Sequence, residues 1–373
     1  MRLLIDASCI NHKNMTASVP VYILRLVNAF LQFSSYEVIL LIDYKQNKFF
    51  RDCYPNVRKY YVNRNFFLYR IPFIGSCYGR WKYEKVLKKI NYDFEIIASD
   101  LDRCAKINSN HRRIFVIHDL KAIKDGIFWQ QVRNKFFYRF MIKSSTFVVA
   151  ISDYTRKDIL QYYQVPEKRL ITIPNSVEKC SNEKILDQII PQKYILYVNT
   201  LLPHKNPITL IKAFERISDR IDCKLIIVGK TTSYWKSEIF PYIHNHNLLD
   251  SVIHLQNLSS GELQYLYNRA SLFVTPSLRE GFGYTPIEAA MSKVPVISST
   301  SEALPYSTQG LLYYYEPADN PDVLANKILE VLSNPPTQEA LNGIAKKFEQ
   351  DYAPKKQVEL FSQIIEKCKA YDS

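Results

Sequence analysis

Short apolar runs alternate with segments of helical spacing along the whole chain, and each run has the length of one buried strand. Runs near 2–6, 37–42, 94–98, 113–117, 146–150 and 170–174 predict strands in the first half. Those near 194–198, 224–228, 252–255, 271–275, 294–298 and 311–315 predict strands in the second. Strands that alternate with helices build parallel sheets covered on both faces. Helices are expected to begin near Ser18-Val-Pro20, with Ser18 as N-cap and Pro20 at N2, and near Ser152-Asp-Tyr-Thr155. A polar stretch from Ser176 to Gln192 interrupts the rhythm and divides the chain. The expected organisation is a first doubly wound domain over 1–178 and a second over 190–353. Val358, Phe361, Ile365 and Cys368 share one helical face, so residues 354–373 read as a terminal helix that packs back on the first domain. Two such domains facing each other would hold a ligand in a cleft at the carboxyl ends of their strands.

Composition agrees with a globular chain: 373 residues, 47% hydrophobic and 23% charged. The longest apolar runs, such as Val38–Ile42, are far too short to span a bilayer, and the N-terminal Met1-Arg-Leu-Leu-Ile-Asp6 reads as a first strand rather than a signal peptide. Seven scattered cysteines without a C-x-x-C pair fit reduced thiols in the cytoplasm.

Charge is divided unequally. Residues 1–178 carry 29 Lys/Arg against 15 Asp/Glu, and residues 179–373 carry 20 against 21. Between Arg51 and Ile90 ten basic residues face only Asp52 and Glu84, interleaved with aromatics from Tyr60 to Tyr83. A solvated basic face is one reading of that patch. Docking on an anionic membrane surface is the preferred one. Nucleic-acid binding is disfavoured, because no RNP, helix-turn-helix or zinc-finger pattern accompanies the charge.

The chemistry concentrates after the strand Ser271–Thr275, in Glu280-Gly-Phe-Gly-Tyr-Thr-Pro-Ile-Glu288. Strand, glycine turn and helix N-terminus present backbone N–H groups to an anion, while flanking glutamates accept hydrogen bonds from hydroxyls. A nucleotide sugar has both features. The competing structural reading is a capping box, with Thr285 as N-cap, Pro286 at N1 and Glu288 at N3. That reading leaves Glu280, Gly281 and Gly283 unexplained in a chain with only nine glycines. A nicotinamide-type site fails at the first turn, since the first glycine of the chain is Gly75.

Glu280 and Glu288 with seven residues between them resemble the E-x7-E signature of retaining family 4 glycosyltransferases of the GT-B fold. The resemblance extends to Val198-Asn-Thr-Leu-Leu-Pro-His-Lys205-Asn, to Ile117-His118-Asp119, and to the stretch from Phe147 through Asn175. It implies two Rossmann-like domains with a cleft between them. It puts Lys205 on the donor diphosphate, with Lys230 as a second candidate cation beside Asn199, and Glu288 on the ribose. By the same resemblance Gly281, Phe282, Gly283, Tyr284 and Thr285 form the cradle, Glu280 meets the donor sugar, and His118 meets a hydroxyl of the transferred sugar. Ser152 and Arg156 are expected near the cleft. The chain departs from the family pattern at Asn199, where glycine or arginine is usual, at His204, often arginine, and at Ser176, where glycine is common. The glycine-free N-terminal loop Met15–Tyr22 also departs from it.

The expected activity is metal-independent transfer from a nucleoside-diphosphate sugar, with GDP-mannose as the guess, and no further cofactor. The expected acceptor is a glycan or a polyprenyl-diphosphate-linked glycan in surface polysaccharide or O-antigen assembly. A cytoplasmic enzyme held peripherally at the inner face of the cell membrane fits these expectations, with no nucleic-acid partner. The alternative is a catalytically silent sugar-nucleotide-binding scaffold subunit. Asp100-Leu-Asp102 is a D-x-D pattern of the kind that binds manganese in another glycosyltransferase fold, but it lies in the first domain, away from the diphosphate motifs; His244-Asn-His246 has no Cys, Asp or Glu at ligand spacing and reads as solvated.

Overall fold

The computed structural model of the chain describes residues 1–11, 17–63, 74–98, 112–125 and 128–370. These form two units, Met1–Ser176 with Pro354–Ser373, and Val177–Ala353. The Asp100–Asp102 pair, Met15 and Thr16, and the aromatic residues 66, 67, 69 and 73 lie outside the described residues.

The first unit contains β1 (Arg2–Asp6), α1 (Ser18–Phe33), β2 (Glu37–Asp43), α2 (Asn47–Cys53), β3 (Arg58–Val62), α3 (Ile74–Leu87), β4 (Phe94–Ile97) and β5 (Arg112–Ile117). It continues with α4 (Lys121–Lys124), α5 (Phe128–Ser144), β6 (Phe147–Ala150), α6 (Asp153–Tyr162) and β7 (Leu170–Thr172). Its sheet has the order β3-β2-β1-β4-β5-β6-β7, and every recorded pairing is parallel. Central strands are buried on both faces, as the unbroken Leu/Ile/Val runs dictate. Strand β3 was not expected. Its sequence, Arg-Lys-Tyr-Tyr-Val, is basic and only partly buried because it lies at the sheet edge, where charged residues are tolerated. Helix α1 starts one residue earlier than anticipated, with Ala17 rather than Ser18 at the N-cap.

The second unit contains β8 (Tyr194–Val198), α7 (Pro207–Glu215), β9 (Lys224–Val228), α8 (Phe240–Asn245), β10 (Val252–Leu255), α9 (Ser260–Arg269) and β11 (Leu272–Thr275). It continues with α10 (Tyr284–Met291), β12 (Val296–Ser299), α11 (Leu304–Ser307), β13 (Tyr313–Tyr315), α12 (Pro321–Ser333) and α13 (Gln338–Asp351). The parallel sheet order is β10-β9-β8-β11-β12-β13, which makes β8/β11 the place where the winding reverses. The last helix, α14 (Pro354–Ala370), belongs to the first unit, where Phe361 packs its ring 6.0 Å from Phe30 of α1 and Gln357 donates to the Pro174 carbonyl at 2.8 Å.

A buried polar network crosses the first sheet. Arg113 Nε donates to Glu95 Oε2 at 2.8 Å, and both side chains are fully buried. The Tyr83 hydroxyl of α3 lies 3.0 Å from both Glu95 Oε1 and Asp6 Oδ2, while Arg113 Nη1 reaches Ser144 of α5 at 3.4 Å. Burying an ion pair contributes little net stability, but removing one partner strands the other in an apolar interior at a cost of about 3–5 kcal/mol. Arg113→Met is therefore expected to lower the unfolding free energy by about that amount in chemical denaturation, and the Glu95→Leu/Arg113→Met double variant by clearly less. Equal losses in both variants would show that packing, not the stranded carboxylate, dominates.

Candidate active site

The site of the second unit is built where β8 and β11 end side by side. After β8 the chain makes a short 3-10 turn, Pro203–Lys205, and Asn206 takes a left-handed conformation at φ 55° before α7 begins. The buried Asn206 amide donates to the carbonyls of Pro276 at 3.1 Å and Ala318 at 2.9 Å, and its oxygen accepts from Thr209 at 2.8 Å. Leu278 N–H donates to the His204 carbonyl at 2.9 Å. These bonds fasten the loop after β8 to the loop after β11. On the far side, Gly229 closes β9 so tightly that a Cβ there would stand 2.3 Å from the Asn199 carbonyl oxygen.

The two fastened loops bring Lys205 Nζ to 2.6 Å from Glu280 Oε1, with each side chain only 12% exposed. The same carboxylate oxygen accepts from Asn199 Nδ2 at 3.2 Å and from Ser277 Oγ at 3.3 Å. Glu280 N–H in turn donates to the carboxylate of Glu302 at 2.9 Å, a residue held at φ 49° in the loop after β12. Sequence reasoning singled out Lys205, Glu280 and Asn199 separately; the structure joins them around one oxygen. It missed Ser277 and Glu302, which carry no local pattern and act only through contacts that the fold creates.

Helix α10 begins at Tyr284, and its N-cap is Gly283 with φ 90° and ψ 62°, not Thr285. The angle of Gly283 favours glycine, and a Cβ there would lie 2.7 Å from Leu304 Cδ2, which would have to move aside. The capping box is absent: Gly283 has no side chain to cap with, and Glu288 lies one turn into the helix with Oε2 at 3.2 Å from the Tyr267 hydroxyl. Phe282 is buried and its carbonyl accepts from Ser307 Oγ, whereas Gly281, Tyr284, Thr285 and Glu288 keep partial exposure. An acidic pair, a fixed ammonium and a helix start whose N-cap contributes no side chain make a setting for a phosphate-bearing, hydroxyl-rich ligand. Lys230 is exposed on the loop directly after Gly229.

His118 belongs to the first unit, at the end of β5. Its ring meets Tyr22 edge-on at 4.7 Å between centroids. The residue keeps some exposed surface, yet Nε2 is shielded from solvent and has no hydrogen-bond partner among the described residues. Burial pushes the imidazole down to about 4, against a smaller upward pull from Asp119 and a hydrogen bond with the Ala98 backbone. The ring is therefore neutral near pH 7 and can exchange a hydrogen bond with a hydroxyl. Asp119 caps the following turn, accepting from Lys121 N–H at 2.9 Å. Ser152 caps α6 by accepting from Thr155 N–H, and Thr155 Oγ1 donates to the His118 carbonyl at 3.1 Å, while Arg156 is half-buried in α6.

Among the described residues no group of three His, Cys, Asp or Glu could hold a metal ion. His246 is exposed, as expected, and pairs with Glu215 at 2.6 Å and stacks on Tyr242.

The family model described as "Glycosyl transferases group 1" matches residues 182–348, and that described as "Glycosyltransferase Family 4" matches residues 19–179. An O-antigen chain mannosyltransferase, RfbU, of Salmonella typhimurium is 34% identical over 67% of this chain and 67% of its own length. O-antigen chain mannosyltransferase B of Escherichia coli is 26% identical over 52% of this chain, which spans 54% of that relative. The crystal structure of Anabaena HepE with UDP and glucose superposes with a TM-score of 0.75 at 13% identity, covering 98% of this chain and 100% of that one. The outer core galactosyltransferase WaaB has a TM-score of 0.70 at 15% identity, covering 97% and 100%. These likenesses to solved structures establish the GT-B fold with its two Rossmann-like domains.

The His118 environment fixes a pH dependence. The unfolded chain binds a proton on this ring near pH 6.5 and the folded chain only near pH 4, so folding loses stability as pH falls through that window and is unaffected above it. His118→Gln is expected to flatten the fall in unfolding free energy between pH 6.5 and 4, as measured by denaturation at fixed pH values. Parallel wild-type and variant curves would contradict the buried neutral ring.

Proposed function

The chain belongs to the glycosyl transferases group 1 family, and on that premise we propose that it moves a mannosyl residue, with retention of configuration, from GDP-mannose to a lipid-linked glycan in O-antigen assembly. It is a glycosyltransferase; the donor, the stereochemistry and the acceptor are the proposal. The reading of mannose is supported by two relatives named as O-antigen chain mannosyltransferases. One further relative is named for transfer to a diphospho-undecaprenol-linked sugar, which supports a polyprenyl-diphosphate carrier as the acceptor's anchor. Such an acceptor would place the work at the inner face of the cell membrane. The observation that carries the donor site is the Lys205–Glu280 pair beside the Gly283 turn.

In this reading Lys205 faces the diphosphate and counters the charge that grows on the leaving nucleotide as the glycosidic bond breaks. The start of α10 adds its dipole to the same end. Preorganised charge of this kind is usually the largest catalytic term. Glu280 holds Lys205 in position and offers its other oxygen to a hydroxyl of the donor sugar. Glu288 takes the ribose hydroxyls. His118, neutral at physiological pH, is assigned to a hydroxyl of the transferred sugar by resemblance to the family. The acceptor hydroxyl attacks from the face that the nucleotide leaves and passes its proton to the departing diphosphate oxygen, which preserves the anomeric configuration without a covalent intermediate. No cofactor and no metal enter the scheme.

Lys205→Ala is expected to lower kcat on the order of 100-fold or more in transfer of labelled mannose from GDP-mannose to a lipid extract. Wild-type turnover would remove Lys205 from the mechanism. By calorimetry GDP is expected to bind in preference to UDP and dTDP, and Glu288→Ala to weaken that binding. Equal affinity for all three nucleotides would overturn the choice of donor.

A further inference from the structure

Helix α5 exposes what a helix of a soluble unit ordinarily buries. Phe128 is 66% exposed, Trp129 77%, Val132 46% and Phe136 66%. At 100° per residue these four fall on one side of the helix, while Asn134, Met141 and Ile142 are buried on the other. Exposed Arg133, Lys135, Arg139 and Lys143 surround and extend the aromatic strip, and the helix contains no Asp or Glu. Among the described residues none of these four cations is in an ion pair with a carboxylate.

Helix α3 carries a related surface. A groove of about 350 Å³ is lined by Tyr78, Trp81, Lys82, Lys85 and Lys89, and Trp81 is 53% exposed. Both helices cover the same face of the sheet. Leu4 pairs in register with Glu95, Glu95 and Ile97 lie two residues apart on one strand, and Ile97 pairs with Phe115. Tyr83 and Leu87 of α3 pack in the cluster with Leu4, and Met141 and Ile142 of α5 in the cluster with Ile97 and Phe115. The Tyr83–Glu95–Arg113–Ser144 chain of contacts joins the two helices through the sheet between them.

We infer that this α3/α5 face is a docking surface for an anionic phospholipid bilayer, in which the α5 aromatics enter the interface and the lysines of the α3 groove meet lipid phosphates. Aromatic rings prefer the headgroup level, and each lysine or arginine near an anionic surface adds to the attraction. A second copy of this chain is a poor occupant, because a symmetric contact would press the cations of α5, which carries no Asp or Glu, against one another. No helix among the described residues is long and apolar enough to cross a membrane. The inference draws its purpose from the proposed lipid-linked acceptor, but vesicle binding is measured without donor or acceptor. A chain that transfers mannose yet ignores vesicles would refute this inference alone; one that binds vesicles yet transfers nothing would refute the function alone.

The test is co-sedimentation of the full chain with vesicles of phosphatidylcholine, alone or mixed equally with phosphatidylglycerol. Binding is expected only to the anionic vesicles and is expected to weaken with salt. Phe128→Ser/Trp129→Ser/Phe136→Ser and, separately, Lys135→Glu/Arg139→Glu/Lys143→Glu should each bind roughly tenfold less tightly or worse, with thermal unfolding unchanged. In a Trp81→Phe background, lipids brominated along their acyl chains should quench Trp129, since the remaining Trp235 is buried. Wild-type binding by both triple variants overturns the inference. So does binding to a polynucleotide without binding to vesicles, or self-association that the aromatic variant abolishes without any vesicle binding.

Discussion

An ammonium and a carboxylate 2.6 Å apart, each only 12% exposed, are the constraint around which the second unit is arranged. Withdrawing both charges from water is unfavourable unless the geometry is close and the remaining lone pairs are met. Asn199 and Ser277 meet them on the same oxygen. The pair forms only because two loops that are 75 positions apart in sequence are held together by the buried Asn206 amide and a single backbone bond from Leu278. Those loops are neighbours because β8 and β11 are adjacent and parallel, so both chains leave the sheet at the same edge. The charge pair is thus a consequence of strand order before it is a matter of side chains.

The fold class was legible because parallel strands buried on both faces leave unbroken apolar runs, and every predicted run became a strand. Strand β3 escaped because an edge strand need not be apolar: Arg58 to Val62 looked like part of a basic, aromatic patch. The turn from Gly281 to Gly283 shows how a local pattern can be overridden. Thr285-Pro286-Ile287-Glu288 has the residues of a capping box, but Gly283 at φ 90° starts the helix earlier and moves Glu288 away from the first turn. The glycine that a left-handed angle requires outranked the polar side chain that would have capped.

The candidate site was legible residue by residue but not as an arrangement. A motif names Glu280 and Lys205; only the three-dimensional structure shows that they hold each other. Ser277 and Glu302 are ordinary loop residues in sequence and became visible through one hydrogen bond each. The aromatics of α5 illustrate a limit of periodicity itself. Phe128, Val132 and Phe136 have the spacing of a core-facing stripe, and spacing cannot say whether the stripe faces a core or solvent. The buried Glu95–Arg113 pair lies beneath that helix and ties it to α3, so the electrostatics of the first sheet and the character of its outer face are physically connected.

The central claim is that Lys205, positioned by Glu280, receives the terminal phosphate of the donor nucleotide. Calorimetric affinities of GDP and GMP for the wild type and for Lys205→Met test it most directly, because the two ligands differ only in that phosphate. The account predicts that the wild type prefers GDP by about tenfold or more, in keeping with a charge-assisted contact worth roughly 1.5–3 kcal/mol, and that the preference collapses in the variant. An unchanged GDP-to-GMP ratio in Lys205→Met would contradict it.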